Sequence, residues 1–228
     1  MERVYEWCRP QEYDYFNLLE YIDKIVLKEQ VLMQLMEVGQ KFEEYLQKLK
    51  EISGFENNRD AYALIYDWLD NSMNELRESA AIEKHNFTFA NKDLINGDLF
   101  FDRTDLNHER IKKIHKFVCA NSETNNGILF GEYRKKPAII GKQKKDGTKE
   151  IYWYGVKYHD IFQYMHAYIE FYKERKLSPL YYNPFLKSAL AHMLFVRIQP
   201  FGDGNRRTAR IIHNITFTSE INKFYGTS

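Results

Sequence analysis

Cysteine is scarce in this 228-residue chain: only Cys8 and Cys119 occur, far apart in sequence. Their separation excludes a thiolate metal cluster or a paired redox motif, and both are expected to be free thiols in a reducing compartment. Long apolar runs are missing too. No stretch approaches the ~18 consecutive apolar residues of a membrane span, and the opening MERVYEWCRPQEYDY is too charged to act as a signal peptide. A cytoplasmic location is the expectation. Excess charge of either sign is absent as well, with 33 Lys and Arg against 32 Asp and Glu. Bulk charge therefore gives no case for a nucleic-acid or membrane partner, and any anion site must be local. Internal repeats, low-complexity tracts and clear interdomain linkers do not occur.

What is present is the 44% hydrophobic, 29% charged balance of a globular chain, enough for one sizeable core with a small helical appendage. Residues 11 to about 52 place Leu18, Tyr21, Ile22, Ile25, Leu32, Leu35, Met36, Phe42, Leu46 and Leu49 at three- and four-residue steps. The spacing predicts helix, broken once near its middle and ended by Ser53-Gly54. A second helical stretch is expected from Asp60 to Glu83. A third, from Asn107 to Val118, packs Ile111, Ile114, His115 and Val118 inward.

From Gly127 the texture turns to β-branched and aromatic residues around Asp146-Gly147, a strong hairpin signal. Helical spacing returns with Ile161, Met165, Tyr168, Ile169 and Tyr172. Asn183-Pro184 supplies an N-cap followed by proline at the first helical position. The apolar FLKSALAHMLFVRI should be a buried helix, stopped by Pro200, which disfavours helical geometry in the residue before it. The fold class is mainly α with one β-hairpin.

The segment QPFGDGNRRTAR, from Gln199 to Arg210, is the most informative. It is a glycine-containing turn between a buried helix and a second helix. Successive amides in such a turn form an anion-binding hollow, reinforced by the positive end of the helix dipole. Arg207 and Arg210 share a helix face, and Asp203 is the loop's carboxylate. Phosphates neutralised by arginines and bridged to a carboxylate by Mg²⁺ would make a coherent nucleoside triphosphate site. Spacing alone leaves a plain helix–loop–helix turn with solvated arginines equally open.

The loop resembles the Fic (Fido) family motif H-x-F-x-(D/E)-G-N-(G/K)-R-x-x-R, matching at Phe201, Asp203, Gly204, Asn205, Arg207 and Arg210. Arg206 stands where relatives have glycine or lysine. The preceding ALAHMLFVRIQPF and the GEYR before the hairpin are similar to that family as well. The resemblance implies a Fic-type helical core with a hairpin flap over residues 75–228, and an N-terminal helical extension over 1–74. It implies protein adenylyltransferase chemistry, with ATP and Mg²⁺ as ligand and cofactor. Phe201 would anchor the loop and Asp203 would hold the metal. The amides of Gly204, Asn205 and Arg206, with Arg207, would take the α and β phosphates, and Arg210 the γ phosphate. Ile139, Ile140 and Gly141 resemble the flap edge that docks a target peptide by strand addition, although a hairpin that merely covers the core explains them equally well.

One position departs sharply. Gln199 occupies the place of the family's catalytic histidine, and an amide accepts a hydrogen bond but has no useful basicity. AMP transfer is therefore expected to be weak or absent, and a non-catalytic nucleotide-binding or protein-interaction module is the alternative. His192, two turns upstream, is expected to pack rather than to act as base. Ser79-Ala-Ala-Ile-Glu83 resembles the family's N-terminal inhibitory helix, near residues 75–85, in which Glu83 would pair with Arg210. A solvated glutamate is the other reading. The tail HNITFTSEINKFYGTS looks polar and poorly periodic, which suggests a truncated core.

Overall fold

The computed structural model describes residues 25–54, 106–119, 130–145, 147, 149–174, 181 and 183–225. Among them are five helices and one hairpin. These are α1 (Glu29–Ser53), α2 (His108–Cys119), β1 (Ile139–Gln143), β2 (Lys149–Tyr154), α3 (Ile161–Lys173), α4 (Pro184–Ile198) and α5 (Asn205–Tyr225). The expected helix over Asp60–Glu83 lies outside the described residues.

Local chemistry sets the helix ends. Asn107 caps α2 by accepting the Arg110 amide at 2.9 Å, and Asn183 caps α4 by accepting the Leu186 amide at 3.0 Å, with Pro184 at the first helical position. Gly54 closes α1 in the left-handed region at φ 67°, its N–H bonding the Lys50 carbonyl. The helix at Ile161 and the hairpin around Gly147 form where the sequence places them. The strands pair antiparallel with an irregularity between Ile140 and Gly141. A side chain at Gly141 would overlap the Glu150 backbone, so only glycine suits this bulge.

The core lies where α3, α4 and α5 meet α2. Tyr168, Phe171, Tyr181, Phe195 and Phe201 are fully buried in it, and the Tyr168 hydroxyl donates to the Ala191 carbonyl at 3.1 Å. Each such aromatic contributes about 1.5–3 kcal/mol through burial. Ile111, Ile114, His115 and Val118 all face inward, as their spacing predicts.

Two features go beyond what the sequence pattern predicts. On α1 the inward seam is Leu35, Phe42, Leu46 and Leu49, while Leu32 and Met36 face outward. Phe42 meets Phe185 edge-on at 5.9 Å, and Leu46 packs with Ile221. Such contacts repeat at alternating three- and four-residue steps, and Leu32 and Met36 fall one position off that line. The tail, moreover, is helical to Tyr225 and packed. Its buried face mixes Ile215 and Ile221 with Thr216, Ser219 and Glu220, so hydropathy alone misses it. The polar groups of Thr216 and Glu220 are partnered: Thr216 Oγ1 donates to the Ile212 carbonyl at 2.6 Å, and Glu220 lies 3.7 Å from the buried Lys187 ammonium and accepts from the half-exposed Lys223 at 3.3 Å.

Candidate functional site: a hollow between helix α5 and the hairpin

Helix α4 ends in an unusual way. A proline after Gln199 disfavours helix there, and the chain answers not with extended backbone but with a left-handed residue, φ 52° and ψ 60°. Left-handed backbone costs a residue with a Cβ roughly 1–2 kcal/mol. Arg134 holds it in place. Its Nε donates to the Gln199 carbonyl at 2.6 Å, Nη1 to the Lys136 carbonyl at 2.7 Å, and Nη2 to the Val156 carbonyl. The Arg134 amide also donates to the Pro200 carbonyl at 2.9 Å. This one buried guanidinium thus ties both roots of the hairpin to the start of the loop. Burial lowers its pKa to about 10, which still leaves it charged at neutral pH. Gly155 lies against it, where a side chain would strike both Arg134 and Gln199.

Beyond Gln199 the loop is stapled by Asn205. Its Oδ1 accepts the Phe201 amide at 2.9 Å, and its Nδ2 donates to the Phe201 carbonyl at 2.8 Å and to Gln199 Oε1 at 2.9 Å. The other end of the Gln199 amide donates to the Val196 carbonyl at 2.8 Å. Phe201 is buried and stacks flat on His115, with centroids 3.6 Å apart. His115 accepts the Gly131 amide on Nδ1 at 2.9 Å and donates from Nε2 to the Asp203 carbonyl at 2.8 Å. With one ring nitrogen accepting and the other donating, the imidazole is neutral. Burial drives its pKa down to about 4, outweighing the bond to the Asp203 carbonyl.

Gly204 has φ 72°, and a side chain there would overlap Cys119 Sγ and press on His115. Only glycine satisfies both the angle and the close approach. Burial raises the Cys119 thiol to about 12, so it is a packing group rather than a nucleophile. Helix α5 then begins at Asn205. Its first described helical bond runs from the Thr208 amide to the Gly204 carbonyl at 2.9 Å. The amides of Asn205, Arg206 and Arg207 fall in the first turn, where no helical carbonyl is available to them.

These elements enclose a hollow of about 250 Å³. One wall is Ile139, Ile140 and Gly141 of β1. The other is Gln199, Gly202, Asp203, Gly204, Asn205, Arg206 and Arg207. The volume lies below the ~300–1,000 Å³ of typical small-molecule pockets. Arg206 is exposed. Arg207 is buried, with Nη1 3.4 Å from the Val118 carbonyl and Nη2 3.5 Å from Asp203 Oδ2. Asp203 Oδ1 accepts the Gly204 amide at 2.7 Å, and its side chain is 36% exposed at the rim. A hard carboxylate at the rim of the hollow is the kind of ligand Mg²⁺ takes, since that ion binds through one or two carboxylates plus substrate phosphates. No group of three or more His, Cys, Asp or Glu that could form an all-protein metal site occurs among the described residues.

The structure thus brings most of the expected site residues together. Arg210 is the exception: half-buried one turn further along α5, it does not line the hollow. Ser79 and Glu83 lie outside the described residues. His192 faces a separate groove with Trp153, Met193, Arg197 and His213, its ring edge-on to His213 at 5.9 Å. That position agrees with packing rather than proton transfer in the loop. Sequence reasoning assigned no role to Arg134, and read His115 only as a packed residue. The signals were an arginine placed just before a hairpin, and a histidine on an otherwise apolar helix face.

No helix among the described residues is long and apolar enough to cross a membrane. The sequence model of the Fic/DOC family matches residues 105–216. Over 180 residues, 75% of its length, the chain is 25% identical to a protein adenylyltransferase Fic of Aedes aegypti, and it spans 32% of that relative. The matched stretch contains α2, the hairpin, α3, α4, the stapled loop and the first half of α5: residues 105–216 are a domain of the Fic/DOC family.

Proposed function

We propose that this domain binds the phosphate chain of ATP in the hollow above Gly204 to Arg207, with Mg²⁺ held at Asp203, and that it transfers AMP to a protein hydroxyl only weakly or not at all. The observation that carries the reading is the loop itself. Asn205 and His115 hold a left-handed glycine at the head of α5, so that the first-turn amides open onto the hollow beside Arg207. The family and the adenylyltransferase relative support AMP-transfer chemistry of this general type.

In such a transfer the oxygen of a Ser, Thr or Tyr hydroxyl forms a bond to the α phosphorus, the bond to the β-phosphate oxygen breaks, and pyrophosphate leaves. Mg²⁺ would supply neutralisation of phosphate charge at Asp203. The amides and Arg207 would position the α phosphorus, and the exposed edge of β1, Ile139 to Gly141, would receive the target as an added strand. The hydroxyl proton must go to a base. Gln199 cannot accept it, and its amide is already engaged at both ends, with Val196 and Asn205. That engagement favours the second reading, a nucleotide-binding module without transfer.

The deciding experiment incubates the protein with ATP labelled at the α phosphate and Mg²⁺, with and without lysate, for wild type and Gln199→His. Label on protein from the wild type supports slow transfer. Label only from the variant supports the binding module. No retention of ATP by either one removes the basis of both.

A further inference from the structure

Resting on the nucleotide reading above, we infer that His115 is a positioning residue that sets the orientation of the Asp203–Gly204 peptide and thereby aims the Gly204 amide at the phosphate chain. In a trans peptide the carbonyl of one residue and the N–H of the next point in opposite directions. His115 sits beneath the loop and donates from Nε2 to the Asp203 carbonyl at 2.8 Å. Drawing that carbonyl inward turns the Gly204 N–H outward. There it donates to Asp203 Oδ1 at 2.7 Å, a bond that a phosphate oxygen would replace; both residues line the hollow.

The ring cannot swivel to release the peptide. Nδ1 accepts the Gly131 amide at 2.9 Å, and the ring face lies 3.6 Å from Phe201, 5° from parallel. Gly131 itself has φ 81° and lies against the Lys112 carbonyl. One imidazole therefore joins three segments: the turn leading to the hairpin, helix α2 and the phosphate loop. The peptide it holds precedes a glycine of positive φ, the residue type most able to flip. Without the bond to His115, the peptide can rotate and offer the ligand a carbonyl oxygen, which repels phosphate.

The test compares wild type, His115→Phe and His115→Gln in the full chain. Phenylalanine keeps the ring stacked on Phe201 but has neither donor nor acceptor; glutamine keeps one of each. Calorimetric titrations would use Mg-ATP, inorganic pyrophosphate and adenosine. The expected result is a loss of roughly tenfold or more in Mg-ATP and pyrophosphate affinity for His115→Phe, the worth of one charge-assisted hydrogen bond. Adenosine binding should be unchanged, and His115→Gln should recover most of the loss. A merely structural role would lower all three affinities together, or none of them. Equal Mg-ATP affinity in wild type and His115→Phe overturns the inference and leaves the nucleotide reading intact. Failure of the wild type to bind Mg-ATP or pyrophosphate at all overturns both. Should His115→Phe not fold, the ¹⁵N-amide signal of Gly204 in the wild type decides. A large downfield proton shift on adding pyrophosphate is expected, and no shift overturns the inference.

Discussion

The Nε of Arg134 and the main-chain oxygen of Gln199 are 2.6 Å apart, joining the root of the hairpin to the last residue before the loop that leads into α5. The same guanidinium reaches the Lys136 and Val156 carbonyls, so the wall and floor of the hollow share one bracket. Arg134→Ala would strand buried carbonyls and release the left-handed residue. A loss of about 3 kcal/mol or more in unfolding free energy is expected, read from the urea midpoint. Arg134→Lys should fall between the variant and wild type, because an ammonium cannot reproduce the planar fork.

Gln199→His should raise AMP transfer by on the order of 10²- to 10⁴-fold, the usual worth of a general base. The gain should appear in the rate and not in ATP affinity, since Gln199 is not among the phosphate ligands proposed. Single-turnover label transfer at saturating ATP checks it. A Kd change without a rate change would mean that the residue serves binding instead.

Gly204→Ala meets two penalties, a left-handed φ and overlap with Cys119 Sγ. The backbone part is about 1–2 kcal/mol, and overpacking adds about 1–3 kcal/mol. Cys119→Ala removes the obstacle but not the angle. The double variant should therefore be more stable than the sum of the single effects predicts, by about 1 kcal/mol in a thermodynamic cycle. Strict additivity would show that the two sites do not touch.

Acid should weaken the fold before the carboxylates titrate. His115 is neutral in the folded state down to about pH 4, against an ordinary value of 6.5. The unfolded chain binds its proton first, so stability is full above pH 6.5 and falls as pH drops towards 4. The lost contribution is on the order of 3 kcal/mol. His108 and His192 are also pushed down by burial and act in the same direction. Melting temperature against pH should fall across this window, and less steeply in His115→Gln.

Lys187 and Glu220 test whether the far half of α5 belongs to the core. Both side chains are almost wholly buried and lie 3.7 Å apart, and the ammonium also donates to the Glu174 carbonyl at 3.1 Å. Glu220→Gln leaves the lysine charge under-compensated, and about 3–5 kcal/mol should be lost. Lys187→Met combined with Glu220→Leu should recover much of that, as both charges leave together. Denaturant titration of the three variants reads the difference.

Much of this arrangement was legible in the sequence because it depends on local signals. Asn183-Pro184, Ser53-Gly54 and Asp146-Gly147 mark boundaries by turn and cap chemistry, and Gln199 to Arg210 spells a loop whose spacing survives into the fold. What escaped depends on contacts between distant segments. Arg134 looks like one more cation beside Lys135 and Lys136, and nothing nearby says that three carbonyls await it. Thr216, Ser219 and Glu220 look like a solvated face until Lys187 and the Ile212 carbonyl are seen beside them. Leu32 and Met36 fit a helical period, but only the partners Phe185 and Ile221 decide which line of that period turns inward.

The two-ended engagement of the Gln199 amide has an evolutionary reading. If Gln199 stands where the family motif has histidine, as the resemblance implies, its donor and acceptor are both matched, to Val196 and Asn205, so the exchange leaves no wound in the loop for later substitutions to heal. Histidine and glutamine codons differ at a single nucleotide. On the proposed reading, losing or restoring the transfer chemistry is therefore one mutational step in either direction, and the loop geometry can outlast many such reversals unchanged.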